Sequence, residues 1–300
     1  MADELPRKAI LIVNAHSRVG AKSFDEAKEL LTNAGIELVE AIPVYQPARL
    51  KSEVRSAVDR APMVIVGGGD GTLSSTIDYF KAHETVFALL PLGTANSFAR
   101  ALGIPLDLPG AVDVIAKGIP RRIDLGCIDG DYFGNAAAIG MSPLIARTVP
   151  HKLKRYAGRA GYALWAGYMS IKFRPFRLTI DDGLTRASVW ASEVRIANGG
   201  FFGGVEMVDT AELDSGEIII QAVTGRAKKH LFWNWLASSL RLHRRGDFNA
   251  EFHGTRLRIE TDPPMDVAID GELSTKTPIT VSVAPDAVLI AAPRPLNPPD

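Results

Sequence analysis

The sequence has little cysteine, no long apolar run and no excess of either charge. Cys127 is the only cysteine among the 300 residues, so no disulfide can form within the chain, as is usual in a reducing compartment. No uncharged apolar stretch reaches the roughly 18 residues of a membrane-spanning helix, and the charged N-terminus lacks the apolar part of a signal peptide. The 34 basic residues balance the 34 acidic ones, which gives no argument for nucleic acid as a partner. These absences predict a soluble cytoplasmic protein.

Apolar runs alternate with segments of helical spacing from the N-terminus to about Pro120. The pattern predicts strands at 9–13, 36–44, 63–66 and 86–90 and helices at 24–33, 48–60 and 73–82. Such alternation indicates βαβ units, and therefore an α/β domain with a parallel sheet. Ligands of these sheets bind at the carboxyl ends of the strands, where the sequence has the loops 14–20, 67–72 and 93–97.

Beyond Pro120 the chain consists of short apolar runs separated by glycine, proline and aspartate. Strands are predicted at 122–128, 132–139, 176–181, 187–197, 216–223, 255–261, 266–269, 279–283 and 287–291. This pattern predicts an antiparallel β-sandwich. We expect residues 1–124 to form the α/β domain, completed by residues 286–300, and residues 125–285 to form the sandwich.

The most informative stretch is 64–72, with the sequence VIVGGGDGT. A strand, a glycine turn and a helix in this order direct free backbone N–H groups and the positive end of the helix at an anion. Glycine lets the backbone approach a phosphate that a Cβ atom would keep away. Asp70 in such a turn suits a site with Mg²⁺ or a proton transfer, because a bare carboxylate would repel phosphate. The alternative is a tight turn with no ligand.

The turn GGGDGT at 67–72 and the segment PLGTANSFAR at 91–100 together resemble the diacylglycerol kinase catalytic family of lipid kinases. This family includes the soluble bacterial diacylglycerol kinases, the sphingosine kinases and the ceramide kinases. The resemblance extends over nearly the whole chain. Asn14 and Ser17 match the family's first loop, residues 122–126 match its domain-joining strand, and 270–272 match its closing Asp-Gly-Glu motif.

The resemblance implies an α/β nucleotide-binding domain, a lipid-binding β-sandwich and, in the cleft between them, transfer of phosphate from ATP with Mg²⁺ to a lipid hydroxyl. The acceptor would be diacylglycerol-like or sphingoid, as in phospholipid metabolism. By position, the nucleotide would be held by Asn14, Ser17, Gly68, Gly69, Gly71, Thr72, Ser74, Gly93, Thr94 and Asn96. Glu272 would be the general base, with Asp70 as the rival base or a water-mediated Mg²⁺ ligand. Without the resemblance, 270–272 is also typical of a solvated hairpin turn.

Three features differ from the family pattern. The first loop has Ala15, Arg18 and Val19 where the family prefers proline and glycine. Ser97 stands where many members have aspartate, so we expect Asp124 to supply the missing carboxylate to the metal network. The segment 212–217 resembles a loop that binds a structural metal in bacterial members, with Asp214 and Ser215 as candidate ligands. A plain acidic turn is the alternative. The bacterial relatives also suggest a homodimer.

Two basic, aromatic stretches are candidates for contact with an anionic membrane at its inner face. Residues 151–177 contain seven Lys or Arg residues and no acidic residue, and 225–246 contain six Lys or Arg and again no acidic residue. Aromatic residues beside basic ones anchor helices at anionic lipid surfaces. The alternative is that the apolar residues of these helices pack into the core.

Two other functions compete with a lipid kinase. A kinase of a soluble small molecule, such as an NAD kinase, shares the glycine turn in outline but would carry an Asn-Glu pair soon after it, and none follows between Thr72 and Ile123. A non-catalytic nucleotide or lipid sensor would have lost Asp70 or Glu272, and both are present.

Overall fold

The computed structural model describes residues 4–16, 18–150, 161, 164–170, 172–224 and 249–294. The N-terminal part alternates strands and helices. Its elements are β1 (Lys8–Asn14), α1 (Arg18–Asn33), β2 (Glu37–Val44), α2 (Pro47–Val58), β3 (Met63–Gly68), α3 (Asp70–Ser74), a 3₁₀ turn (Ile77–Phe80), β4 (Val86–Pro91), α4 (Ser97–Ala101) and α5 (Leu108–Lys117).

The first four strands form a parallel sheet in the order β4-β3-β1-β2. Every residue of β3 and β4 is buried, as expected for apolar strands covered on both faces. Helices α1 and α2 pack on β1 and α5 packs on β4. The strands therefore end at one common edge, where Asn14, Gly68 and Pro91 are the last strand residues.

The rest of the chain is mainly antiparallel strands. These are β5 (Ile119–Ile128), β6 (Asp131–Phe133), β7 (Ala136–Gly140), β8 (Phe176–Asp181), β9 (Arg186–Ala197), β10 (Phe201–Phe202), β11 (Val205–Glu206), β12 (Ile218–Thr224), β13 (Asn249–Gly254), β14 (Arg256–Asp262), β15 (Asp266–Ile269), β16 (Glu272–Lys276) and β17 (Ile279–Ala292). Helix α6 (Met141–Thr148) and the helical residues 164–170 lie between β7 and β8. The predicted fold class, an α/β domain followed by an antiparallel β-sandwich, is confirmed.

Strand β17 connects the two parts. Its first half pairs with β14 of the sandwich, and Ile290 in its second half lies in parallel register with Phe87 of β4. The register against β5 shifts between Ala284 and Val288, where the strand passes from one part to the other. Each part keeps its own apolar core, and Val288 and Ile290 belong to the core of the α/β part.

The helix predicted at 73–82 is wrong. The structure has the five-residue α3, then a break, then the 3₁₀ turn. The hydroxyls of Ser75 and Thr76 donate to the carbonyl of Thr72 at 3.0 and 2.9 Å. Such bonds from side chain to backbone compete with the helical pattern and end the helix.

The single strand predicted at 132–139 is also wrong, because it is divided into β6 and β7 around Gly134 and Asn135. Strands β13 and β16 and helix α5 were not predicted. No helix among the described residues is long and apolar enough to cross a bilayer.

Candidate active site

The loops that follow β1 and β3 are joined by a side-chain hydrogen bond. Asn14 ends β1, and its Nδ2 donates to Oγ1 of Thr72 at 2.9 Å. Its Oδ1 accepts the backbone N–H of His16 at 3.2 Å. Because β1 and β3 are parallel neighbours, these two predicted site residues meet at one edge of the sheet. Ser17, predicted in the same loop, lies outside the described residues.

The glycine turn after β3 packs directly against the loop after β4. A Cβ atom on Gly93 would lie 2.5 Å from Cα of Gly69, so glycine is needed for the two backbones to approach this closely. A Cβ atom on Gly68 would likewise lie 2.5 Å from the side chain of Thr72. At Gly71, by contrast, nothing lies within 4 Å of the Cβ position. Gly68 and Gly69 therefore pack against the protein, whereas Gly71 faces open space that a ligand could occupy.

Asn96 holds the loop after β4 from inside. The residue is buried and adopts a left-handed conformation, with φ of 49°. Its Oδ1 accepts the N–H of Gly93 at 2.9 Å, and its Nδ2 donates to the carbonyls of Gly93 and Pro91 at 3.0 and 3.2 Å. The Asn96 side chain therefore shapes the loop, whereas Thr94 at the loop tip is exposed.

Asp70 reaches from the glycine turn to helix α4. It is the first residue of α3, and its Oδ1 accepts the backbone N–H of Phe98 at 3.2 Å. Ser97, which precedes Phe98 on α4, accepts the N–H of Gly204 through its Oγ at 2.9 Å. Gly204 lies between β10 and β11, so the loop after β4 is held by the glycine turn on one side and by the C-terminal part on the other.

Asp270 joins the two parts of the protein at this point. It lies in the turn between β15 and β16 with φ of 45°, and its Oδ1 accepts the N–H of Ala136 at 3.1 Å. The side chain of Ser74, on α3, lies close to the same carboxylate and lowers its pKa. Burial raises the pKa of Asp270 to about 6, and the neighbouring charge of Asp70 adds to this rise against the lowering effect of the hydrogen bonds. A carboxyl group with such a pKa can accept a proton near neutral pH.

Glu272 has a different environment from Asp270. It is the first residue of β16, it is exposed, and its register partner on β15 is Ile269. Sequence reasoning singled out Glu272 and treated Asp270 only as part of the motif. The signal that distinguishes the two carboxylates is burial against Ser74 and Asp70, which no sequence pattern in this stretch displays.

Of the three residues predicted as metal ligands, Asp124 lies within β5 and accepts a hydrogen bond from Gly216, the residue that follows Asp214 and Ser215. Both carboxylate oxygens of Asp124 accept backbone N–H groups, Oδ2 from Gly216 at 2.7 Å and Oδ1 from Asp286 at 2.9 Å. Asp214 accepts two hydrogen bonds from the guanidinium of Arg121, from Nε at 3.0 Å and from Nη2 at 2.5 Å.

Ser215 donates its hydroxyl to the carbonyl of Glu212 at 3.1 Å. In the part of the chain that the structure describes, no group of three or more His, Cys, Asp or Glu side chains is arranged to hold a metal ion. Asp124 and Asp214 therefore both have hydrogen-bond partners within the protein, and their role as metal ligands stays a prediction.

Comparison with known proteins matches two consecutive stretches of the chain to two family models. Residues 8–128 match the family model described as the diacylglycerol kinase catalytic domain, and residues 135–292 match the YegS C-terminal NAD kinase beta sandwich-like domain. A probable YegS-like lipid kinase of Chromohalobacter salexigens is 29% identical over 238 residues, which is 77% of this chain and 76% of that protein.

A diacylglycerol kinase of Staphylococcus aureus strain JH9 is 30% identical over 217 residues, which is 70% of this chain and 68% of that protein. A crystal structure of a diacylglycerol kinase from Bacillus anthracis strain Sterne superposes with a TM-score of 0.74 at 20% identity, covering 95% of this chain and 97% of that one. This last likeness concerns the fold.

Proposed function

The chain belongs to the diacylglycerol kinase catalytic domain family and is therefore a kinase, and from this premise we propose that it transfers the γ-phosphoryl group of ATP to a lipid hydroxyl. The observation that carries the proposal is the contact between the glycine turn and the Asp270 turn. In this proposal the contact places the loops that would hold phosphate beside a carboxyl group of raised pKa. A kinase needs these two components on either side of the reacting phosphorus.

In this proposal the glycine turn and the loop after β4 hold the phosphates of ATP. The open position at Gly71 and the exposed Thr94 face the nucleotide, while Asn14 and Asn96 fix the two loops through their hydrogen bonds. When bound, Mg²⁺ neutralises charge on the phosphates. Asp70 is suited to orient a water ligand of that ion, because its Oδ1 is already held by Phe98.

Asp270 is the general base in this proposal, in preference to Glu272. The acceptor hydroxyl loses its proton to the carboxylate while its oxygen forms a bond to the γ-phosphorus, and the bond to the β,γ-bridging oxygen breaks. Ser74 lies beside the carboxylate, on the helix that follows the glycine turn. Glu272 is exposed next to this position and is the second candidate.

The protein reaches its lipid, we propose, by docking on an anionic membrane surface. The segment 225–246 and most of 151–163 lie outside the described residues, but helical residues 164–170 are described. There Leu164 is 71% and Tyr168 45% exposed, four residues apart on one helix face, and the Nζ of Lys172 lies 4.6 Å from the centre of the Tyr168 ring. An exposed apolar and aromatic stripe with a cation suits the lipid interface.

The test is transfer of label from γ-labelled ATP with Mg²⁺ to a panel of diacylglycerol, sphingosine, ceramide and phosphatidylglycerol in mixed micelles. We expect one lipid to be labelled, and Asp270→Asn to abolish labelling without loss of ATP binding. Labelling of NAD in place of every lipid would identify a kinase of a soluble acceptor. ATP binding with no transfer to any acceptor would favour a sensor.

A further inference from the structure

A short hairpin of the C-terminal part rests on the loop after β4. Strands β10 and β11 pair antiparallel, and Gly203 and Gly204 form the turn between them with φ of 59° and 80°. The N–H of Gly204 donates to Oγ of Ser97 at 2.9 Å. A Cβ atom on Gly204 would lie 3.0 Å from the carbonyl oxygen of Ala95. The turn therefore needs glycine both for its conformation and for its close approach to the loop.

The start of this hairpin is held by Asn135, which lies between β6 and β7. The Nδ2 of Asn135 donates to the carbonyl of Phe201, the first residue of β10. Its backbone carbonyl accepts the N–H groups of Asn198 and Gly199 at 3.0 and 2.8 Å. Three hydrogen bonds of one residue thus hold the segment 198–201, which leads from β9 into the hairpin.

Asn135 also directly precedes the residue that binds Asp270. Oδ1 of Asp270 accepts the N–H of Ala136 at 3.1 Å, and the N–H of Asp270 donates to the carbonyl of Ala136 at 2.9 Å. A continuous path of hydrogen bonds and short chain segments therefore runs from Ser97 through the hairpin and Asn135 to Asp270. This path joins the loop that we propose to hold phosphate with the carboxyl group that we propose to accept the proton.

We propose that the hairpin is a clamp that fixes the loop after β4 relative to Asp270, and that Ser97 and Asn135 are the positioning residues that hold it. The inference rests on the proposed function, in which phosphate and base lie on different parts of the protein. Phosphoryl transfer needs the acceptor oxygen in line with the γ-phosphorus, and a misplacement of about 1 Å can lower the rate by about 100-fold. The contacts that Asn96 and Gly69 make with this loop lie within the α/β part, whereas the hairpin reaches the loop from the sandwich.

The competing interpretation is a purely structural contact. Ser97 is buried, so its removal could lower stability alone by leaving the N–H of Gly204 without an acceptor. Ser192 offers a matched control, because it is also buried and its hydroxyl makes one hydrogen bond to the backbone, to the carbonyl of Val223 at 3.2 Å. It lies within β9 and has no part in the proposed clamp. The two interpretations therefore differ in how kcat and stability change together.

The experiment measures kcat with the lipid that is labelled, Kd for ATP, and Tm. We expect Ser97→Ala to lower kcat by about 10-fold to 100-fold while Kd for ATP changes by less than about 3-fold, because Asn96 still shapes the loop. Ser97→Thr keeps the hydroxyl and should retain most of kcat. Asn135→Ala should lower kcat as Ser97→Ala does, and the double variant should lose little more, since both residues act through one hairpin. Ser192→Ala should lower Tm without the loss of kcat.

A lower Tm with unchanged kcat in Ser97→Ala would overturn the proposal in favour of a structural contact. Additive losses of kcat in the double variant would overturn it too, because the two residues would then act independently. A rise in Kd for ATP as large as the fall in kcat would assign Ser97 to nucleotide binding and reject the clamp. A loss in Ser97→Thr equal to that in Ser97→Ala would count against the hydroxyl.

If no lipid is labelled, the proposed function fails, and amide hydrogen exchange of the nucleotide-free protein tests the clamp alone. Ser97→Ala should speed exchange of the Gly204 amide by about 10-fold or more, and with it that of the Ala136 amide, which binds Asp270. Faster exchange at both amides, absent in Ser192→Ala, supports the clamp. Faster exchange at Gly204 alone would show that the hairpin does not transmit the change, and the same increase in Ser192→Ala would reflect lower overall stability. Either result rejects the clamp.

Discussion

The carboxylate of Asp270, in the turn between β15 and β16, lies close to the side chain of Ser74 on helix α3. The helix that follows the glycine turn of the α/β part therefore approaches a turn of the β-sandwich here. It also brings Asp270 close enough to Asp70 for the two charges to interact. The loops that we propose to bind the nucleotide therefore lie next to the proposed base.

The first prediction concerns Asp270→Asn, which we expect to lower kcat by about 10²-fold to 10⁴-fold, the usual contribution of a general base. For the unmodified protein, kcat/KM should rise with pH and level off above the pKa of about 6, because only the ionised carboxylate accepts a proton. Initial rates across a pH series measure both effects. Glu272→Gln should retain the pH profile, and a larger loss in Glu272→Gln than in Asp270→Asn would reverse the assignment.

Asp270 also makes stability depend on pH. Its pKa rises from 3.8 in the unfolded chain to about 6 in the fold, so the folded state holds the extra proton between these values. Stability therefore falls as pH rises through this window and stays lower above it. Asparagine carries no charge, so we expect Asp270→Asn to raise Tm at about pH 8 and to leave it nearly unchanged near pH 4. Thermal melts at both values check this, and a lower Tm at pH 8 would contradict it.

Sequence patterns predicted this architecture well because the buried strands β1, β3 and β4 are short continuous apolar runs bounded by loop residues, which favour strands covered on both faces. They failed after α3, where a longer helix was predicted from the spacing of apolar residues. The hydroxyls of Ser75 and Thr76 bond to the carbonyl of Thr72 and end the helix there. The polar edge strand β16 was missed for the opposite reason, since its stability comes from pairing with β15 and not from its own composition.

The sequence predicted which loops lie together at the candidate site, but not what each side chain does there. Closely spaced glycines indicate a turn of this kind, because they are required by the backbone conformation of the turn itself. Which carboxylate is buried, by contrast, depends on contacts between distant segments, here Asp270 with Ser74. The structural role of Asn96 is hidden in the same way, since its three hydrogen bonds depend on the left-handed turn.

The next prediction compares Gly71, which faces open space, with Gly93, which packs against Gly69. Gly71→Ala places a methyl group where no protein atom lies within 4 Å, so Tm should not fall, while the KM for ATP should rise by about 10-fold to 100-fold. Gly93→Ala forces its Cβ to 2.5 Å from Cα of Gly69, so it should lower both stability, by about 1–3 kcal/mol, and ATP affinity. Melting curves and ATP titrations distinguish the two variants. An unchanged KM in Gly71→Ala would mean that the phosphates bind elsewhere.

A further prediction concerns the loop that resembles a metal site. Arg121 already supplies a positive charge to Asp214, so EDTA should leave the Tm of the nucleotide-free protein unchanged. Arg121→Met should lower the free energy of unfolding by about 0.5–1 kcal/mol, since the pair is partly exposed. Arg49→Met, which breaks an exposed helical pair with Glu53, is the matched control. A fall in Tm on adding EDTA that Mg²⁺ reverses would establish a structural cation.

The last prediction concerns the stripe formed by Leu164, Tyr168 and Lys172. Trp165 anchors this helix, because its Nε1 donates to Oγ1 of Thr148 at 3.0 Å, so changes to the exposed face should leave the fold intact. We expect Leu164→Glu to reduce flotation with anionic liposomes and to raise the KM for micellar lipid, since a carboxylate replaces apolar contact and repels anionic headgroups. Leu184→Glu is the control, because Leu184 is 95% exposed but lies in a hairpin turn beside Asp181 and Asp182. Equal binding of the unmodified protein to neutral and anionic vesicles would contradict docking by charge, and equal losses in both variants would remove this helix from the docking surface.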